Sequence, residues 1–76
     1  MSLVLKGLYR HYKGKVYVVE AIARLEKDET EMVVYRELTS DKLYTRPKKE
    51  FEERVTETTT RFERWDNLIV TVKPNN

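Results

Sequence analysis

The chain has 76 residues, of which 39% are hydrophobic and 37% are charged, and its formal net charge is +2. A chain this short has room for one core, so residues 1–76 are predicted to form a single domain, and it is too apolar for a disordered tail. It contains no cysteine, which excludes disulfides and thiolate metal sites and makes the cytoplasm the simplest location. No apolar run is longer than that of Met32 to Tyr35, which is too short for a membrane span or a signal peptide.

The positive charge is concentrated at the N-terminal end of the chain. Residues 1–19 carry four cations and no acid, whereas residues 20–76 carry 11 cations and 13 acids, so that +4 and −2 sum to +2. This distribution predicts a basic lobe on an otherwise mixed surface. It falls short of the strongly basic balance that a dedicated duplex-DNA binder needs.

Short β-branched and aromatic runs, broken by polar turns, predict an all-β domain. Four strands are predicted in the first part of the chain, at residues 7–12, 16–25, 32–38 and 42–45. The turns between them are predicted at Lys13-Gly14, 26–31 and 39–41. In strand two, every second residue is apolar, which predicts one apolar face. The members of this predicted face are Tyr17, Val19, Ala21, Ala23 and Leu25.

The pattern changes at Pro47, which is predicted to end strand four because proline cannot donate to a ladder. Phe51 and Val55 are four residues apart, a spacing that predicts one or two helical turns near residues 47–53 with this apolar pair buried. A threonine-rich loop at 56–60 then leads to strand five at 61–65.

A sixth strand is predicted at residues 68–73, where apolar and polar residues alternate. Its expected partner is residues 3–5, since either segment alone would be an exposed apolar edge. Five to six short antiparallel strands with one helical turn indicate a small barrel or roll, whose closure removes edges. An open sheet packed on the helical turn is the alternative.

Three segments, GLYRHYKGKVYVV, VVYREL and LYTRPKKEF, resemble in order and spacing a bacterial family named only as a domain of unknown function, DUF1653. The resemblance covers about residues 7–62 and leaves the predicted strand at 68–73 outside it. It implies an SH3-like β-barrel and no assigned activity. The residues that match the family pattern are Tyr9, His11, Tyr12, Lys13, Gly14, Tyr17, Val34, Tyr35, Leu38, Leu43, Arg46, Pro47 and Phe51.

The chain departs from this pattern at three positions. Leu25 stands where the family commonly has a histidine at the end of strand two, Tyr44 where it has a tryptophan, and Glu50 where it has a methionine. A role that needs two histidines is therefore in doubt for this chain.

The sequence does not predict an enzyme. With one histidine and no cysteine, it lacks a recognisable nucleophile with its base, a phosphate-binding glycine loop and a metal-ligand motif. We therefore predict no catalytic residue, no metal and no cofactor. His11 is interpreted first as a half-buried residue in a hydrogen-bond network, and Arg46 either as a structural clamp or as an exposed fork for a carboxylate or phosphate.

Tyrosines interleaved with cations remain the most suggestive feature, although Tyr9, Tyr17 and Tyr35 could simply fill the core. We predict a small recognition module whose ligand is a protein, a peptide or a single-stranded nucleic acid. The candidate ligand-binding residues are Tyr9, Arg10, His11, Tyr12, Lys13, Tyr44 and Arg46. The alternative is a structural domain that forms homodimers through its terminal edge strands, and no membrane partner is expected.

Overall fold

The computed structural model describes residues 3–65, which form one antiparallel sheet and one short helix. The elements in chain order are β1 (Leu8–His11), β2 (Val16–Arg24), β3 (Glu31–Glu37), β4 (Leu43–Pro47), α1 (Lys48–Phe51) and β5 (Phe62–Arg64). Their order in the sheet is β4-β3-β2-β1-β5. The predicted all-β fold with five antiparallel strands and one helical turn is confirmed, and the predicted sixth strand at 68–73 lies outside the described residues.

Three turns connect the first four strands, and each contains a residue in the left-handed region. Gly14 has a φ of 117° in the β1–β2 turn, where its N–H donates to the carbonyl of His11 over 2.7 Å. Glu29 and Asp41 have φ values of 64° and 63° in the next two turns. These turns lie where the sequence predicts them, because glycine and short polar stretches tolerate this backbone.

A bulge in β2 changes which of its side chains face the core. The pairing with β3 shifts by one residue between Val19 and Ala21, which leaves Glu20 as the extra residue. An inserted residue reverses the alternation of faces along the rest of a strand. The predicted single apolar face is therefore wrong beyond the bulge, where Ile22 lies on the core face and Ala21 and Ala23 lie on the outer one.

The end of β4 also differs from the sequence prediction. The strand continues through Arg46 to Pro47 instead of ending at Thr45. This is possible because β4 lies at an edge of the described sheet, where a missing N–H is tolerated. The helix α1 is a single turn that ends at Phe51, so the predicted pair of Phe51 and Val55 does not share a helix, and only Phe51 is buried.

The segment before β1 is not the strand that the sequence predicts at residues 3–5. Its backbone turns at Lys6, which has a φ of 66° and donates its N–H to the carbonyl of Val19 over 2.6 Å. Leu3 packs against the edge of the core. A segment that turns in this way cannot extend a ladder along its length, and its predicted partner at 68–73 lies outside the described residues.

The core is a cluster of aromatic rings from different elements together with the fully buried Val19 and Val33. Phe51 and Phe62 stack with centroids 4.0 Å apart, and Tyr9 and Tyr35 meet Phe51 edge-on at 5.5 and 5.3 Å. Tyr35 on β3 and Phe62 on β5 are three strand spacings apart, about 14 Å in a flat sheet. Their ring centroids are only 5.4 Å apart, so the sheet is strongly curled around the cluster.

The curled sheet is not closed, because β4 and β5 each pair with one strand only and not with each other among residues 3–65. The predicted closure into a barrel is therefore not formed. The alternative from the sequence, an open sheet packed on the short helical turn, describes the molecule: Phe51 of α1 lies against Tyr35 of β3. The buried Phe51 ring fills the space enclosed by the curled sheet, so the concave face is packed at this point.

Candidate functional site

Five aromatic rings form a continuous row across the concave face of the sheet. From β4 to the β1–β2 turn they are Tyr44, Tyr17, Phe62, His11 and Tyr12, with successive ring centroids 6.1, 5.7, 4.9 and 4.6 Å apart. Both end residues are exposed, Tyr44 at 40% and Tyr12 at 41%, whereas Phe62 in the middle is buried. We call these five residues the aromatic row.

Strand pairing explains why these rings share one face. Tyr17 lies opposite Tyr9 in the β1–β2 ladder, and His11 lies opposite Phe62 in the β1–β5 ladder. Opposite residues in a ladder point to the same side of the sheet. Tyr12 follows β1 in the turn, and its ring stacks on that of His11 at an interplanar angle of 30°. The turn therefore extends the row past the end of the strand.

Three cations accompany the aromatic row. Lys13 places its ammonium 5.9 Å from the centroid of the Tyr12 ring, and Arg46 places its guanidinium carbon 5.9 Å from that of Phe62. Lys15 pairs with Glu37, whose carboxylate also accepts a hydrogen bond from the Tyr44 hydroxyl. Cations over or beside aromatic rings attract both anions and further π systems, so the row combines stacking area with positive charge.

The Arg46 side chain is held in place by contacts of its guanidinium group with Tyr35 and Glu50. Its Nε–H donates to the Tyr35 hydroxyl over 3.2 Å, and one terminal nitrogen lies 3.9 Å from a carboxylate oxygen of Glu50. Its side chain is partly exposed. The sequence left two roles open for this residue, a structural clamp or an exposed fork. The hydrogen bond to Tyr35 fits a clamp, and the partly exposed guanidinium fits a fork.

His11 is half-buried and has a fixed hydrogen-bond pattern. Its Nδ1 accepts the backbone N–H of Lys13 over 3.1 Å, so the neutral ring carries its proton on Nε2. Burial lowers the pKa of His11, and the charges of Arg46, Arg61 and Lys13 lower it further. At neutral pH the ring is therefore an uncharged N–H donor among cations.

Glu37, at the end of β3, is a buried acid beside the Tyr44 end of the row, with only 6% of its surface exposed. Its carboxylate lies 3.3 Å from the Lys15 ammonium and accepts from the hydroxyls of Thr39 at 3.3 Å and Tyr44 at 3.4 Å. Burial opposes its ionisation, but the hydrogen bonds with Lys15, Ser40 and Thr39 outweigh burial and hold the pKa of Glu37 below its ordinary value. Glu37 thereby fixes the positions of Lys15 and of the Tyr44 hydroxyl at one end of the aromatic row.

The structure brings together five of the seven candidate residues that the sequence predicts. Those five are His11, Tyr12, Lys13, Tyr44 and Arg46. Tyr9 is buried, and its hydroxyl accepts the backbone N–H of Val4 over 3.0 Å, so it belongs to the core. Arg10 alternates with Tyr9 and lies on the outer face of β1. Neither of these two can contact a ligand of the concave face.

Sequence reasoning missed four residues of the site, namely Tyr17 and Phe62 in the row, Glu37 below it and Arg61 beside it. Among residues 3–65, no three histidine or acidic side chains converge as metal ligands would. Within the same part of the chain, no helix has the length and apolar character that crossing a membrane requires.

A curled, open five-stranded sheet with an aromatic row on its concave face defines a small all-β domain with a candidate binding surface. The chain belongs to the family described as protein of unknown function, DUF1653, whose model matches residues 7–67. The chain is also similar to a crystal structure of a member of this family from Bordetella bronchiseptica, with 31% identity and a TM-score of 0.70. That similarity covers 82% of this chain and 87% of the other. Among curated proteins, none matches this chain.

Proposed function

We propose that this protein is a non-enzymatic recognition module whose ligand lies along the aromatic row. One observation carries the proposal: two half-exposed tyrosines end a continuous row of rings on the concave face, and cations stand beside it. Tyrosine offers a large, rigid contact area at low entropic cost and a hydroxyl that tolerates water. A surface of this kind suits binding, whereas it offers no nucleophile paired with a base.

The shape of the row favours an extended ligand. The exposed rings of Tyr44 and Tyr12 and the partly exposed rings of Tyr17 and His11 can contact units of a chain molecule. The buried ring of Phe62 links these two pairs. Cations beside aromatic platforms are typical of surfaces that stack the bases of single-stranded nucleic acid and follow its phosphates. We therefore take a single-stranded oligonucleotide as the first ligand to test and a proline-rich peptide, which aromatic grooves also bind, as the second.

Replacing Tyr12 or Tyr44 with alanine is expected to weaken oligonucleotide binding roughly 5- to 150-fold for each ring, because one base–aromatic contact contributes about 1–3 kcal/mol. The measurement is an amide-resolved NMR titration of the labelled protein with a mixed-sequence single-stranded oligonucleotide at low and then physiological salt. Binding by the unaltered protein should weaken with salt, and its shifts should cluster at the aromatic row. Leu25→Ala, an equally exposed position in the β2–β3 turn, is the matched control.

The peptide arm of the titration separates two outcomes. Shifts along the row with a proline-rich peptide, and none with the oligonucleotide, would assign the surface to peptide recognition. A spectrum that responds to neither probe would remove the recognition proposal.

Three further properties belong to this proposal. The curled sheet belongs to the class of SH3-like rolls, which its five short antiparallel strands support. A bacterial origin is supported by the source of the similar crystal structure. A cytoplasmic location rests on the cysteine-free composition alone.

A second candidate function is self-association through the edge strand β4. Leu43 on this strand is 63% exposed, and it lines an outer-face groove of about 410 Å³ together with Leu25, Met32 and Val34. An edge strand beside exposed apolar side chains is a template for pairing with a second copy. The sequence favoured the terminal edges 3–5 and 68–73. We place the pairing at β4 because residues 3–5 do not form a strand and 68–73 lie outside the described residues.

If β4 mediates dimerisation, Leu43→Lys is expected to convert a dimer into a monomer, because it introduces a charge into the apolar contact. Static light scattering over a dilution series measures this directly. Leu38→Lys, which changes an exposed leucine in the β3–β4 turn outside the groove, should leave the mass unchanged. An unaltered protein that is monomeric at high concentration would rule out the assembly function.

A further inference from the structure

Two arginines from distant parts of the chain converge on Glu50. Arg61, which directly precedes β5, donates its Nε–H to the backbone carbonyl of Glu50 over 3.3 Å and a terminal N–H to the carboxylate of Glu53 over 3.1 Å. Arg46, near the end of β4, has a terminal nitrogen 3.9 Å from the Glu50 carboxylate. The two guanidinium groups are thus anchored around one short segment.

His11 lies next to this arginine pair. The rings of His11 and Phe62 meet edge-on at 4.9 Å, and the Arg46 guanidinium lies against the same Phe62 ring. The backbone carbonyl of Arg61 accepts the N–H of Tyr12 over 2.9 Å, which ties Arg61 to the turn that follows His11. Phe62 thus lies between His11 and Arg46, and Glu50 lies between Arg46 and Arg61. The charges of both arginines also lower the pKa of His11.

We infer that Arg46, Arg61 and His11 form a binding site for an oxyanion, a carboxylate or a phosphate, carried by the ligand of the aromatic row. A guanidinium has five N–H donors. Arg46 engages one with Tyr35 and Arg61 engages two with Glu50 and Glu53, so terminal donors remain for charge-assisted bonds to an anion. The Nδ1 of His11 is occupied by the Lys13 amide, so the ring offers its Nε2–H as a third donor. This inference rests on the proposed function, because it names the chemical group that the recognition surface holds.

Glu50 occupies part of this site in the unbound protein. Its carboxylate is 55% exposed and lies 3.9 Å from Arg46, which is beyond hydrogen-bond distance. An incoming oxyanion would compete with Glu50 for Arg46 and could bind more closely than Glu50 does. Glu50 therefore acts as a weak internal competitor, which gives the inference a specific test.

Glu50→Gln is expected to tighten oxyanion binding roughly two- to fivefold, because it removes a negative charge that competes at the surface. Arg46→Gln and Arg61→Gln are each expected to weaken it by at least about tenfold, because each removes charge-assisted hydrogen bonds. Glu52→Gln, an acid just after α1 that pairs with Lys48 at 3.7 Å, and Arg24→Gln, in the β2–β3 hairpin, are the matched controls.

The experiment titrates the full chain with inorganic phosphate and separately with acetate, at constant ionic strength maintained with sodium chloride. NMR signals of the His11 ring and the arginine Nε–H groups report binding. A bound anion should also raise the pKa of His11, because negative charge favours the protonated imidazole. Tighter binding of phosphate would identify a phosphate-bearing ligand, and tighter binding of acetate a carboxylate-bearing one.

The inference and the proposed function can fail independently. If the oligonucleotide or the peptide shifts the aromatic row while neither anion perturbs His11 or the two arginines, the recognition proposal stands and the oxyanion site is overturned. An unchanged affinity in both Arg46→Gln and Arg61→Gln, once their folding is confirmed by amide dispersion, would also overturn it. If the anions bind and neither chain ligand does, the oxyanion site stands and recognition along the row is lost.

Discussion

Phe51→Ala is expected to destabilise the domain by about 3–5 kcal/mol, the usual cost of removing a buried phenylalanine. Phe51 is 1% exposed, stacks on Phe62 and meets Tyr9 and Tyr35 edge-on. A domain of this length has a free energy of unfolding of about 4–11 kcal/mol. The expected loss is therefore a large part or all of the free energy of unfolding.

Urea denaturation followed by circular dichroism or intrinsic fluorescence measures this change. Leu38→Ala is the control, because this side chain is exposed and lies outside the proposed dimer contact. Its truncation should change the free energy of unfolding by no more than about 0.5 kcal/mol. A loss of less than about 1 kcal/mol in Phe51→Ala would mean that the aromatic cluster can collapse around the missing ring. The single turn of α1 would then not be the element that completes the core.

The strands and turns could be predicted from the sequence because both signals are local. Alternation in β3 places Val33, Tyr35 and Glu37 on one side, and all three are buried in the structure. Gly14 marks the β1–β2 turn because it tolerates a positive φ. Each of these features depends on residues that are close in the chain.

The bulge and the open sheet could not be predicted in the same way. Glu20 interrupts an apolar run, but that pattern fits an exposed strand position as well as an inserted residue. The bulge is defined only by the register between β2 and β3, which involves residues far apart in the chain. Closure depends in turn on whether the two edge strands meet, and no local pattern encodes that distance.

The same contrast holds for the candidate site: residues that are adjacent in sequence could be predicted, and residues that are joined by strand pairing could not. His11, Tyr12 and Lys13 are adjacent in sequence, so their shared chemistry was visible. Phe62 and Arg61 join them only because β5 pairs with β1, and a three-residue strand gives little indication of its partner. The aromatic row is therefore a product of the topology.

Alternation along β3 puts Glu37 on the same face as Tyr35, but the sequence predicts no role for it. An acid on a core-facing position is the signal that could have revealed it, because a charge is rarely buried without a partner. The partner is Lys15 from the β1–β2 hairpin, a contact between strands that the sequence does not specify. This ion pair joins the basic N-terminal lobe to the core.

Glu37→Gln is expected to lower the stability at pH 7, and the difference from the unaltered protein is expected to close in acid. The amide loses the ionic interaction with Lys15 but keeps the shape of the side chain. Because the native pKa of Glu37 is lowered, the stability it contributes is complete above its unfolded pKa and is lost as the pH falls through its native pKa.

Urea midpoints measured from about pH 7 to about pH 3 test this expectation. Glu20 and Asp28 also have lowered pKa values, so both proteins will lose stability in acid and only the difference between them reports on Glu37. Glu29→Gln, which affects an exposed pair with Arg24, should follow the unaltered protein at every pH. A gap that stays constant down to the acid limit would show that Glu37 stabilises the domain through packing and neutral hydrogen bonds, and its ion pair with Lys15 would then contribute nothing to folding.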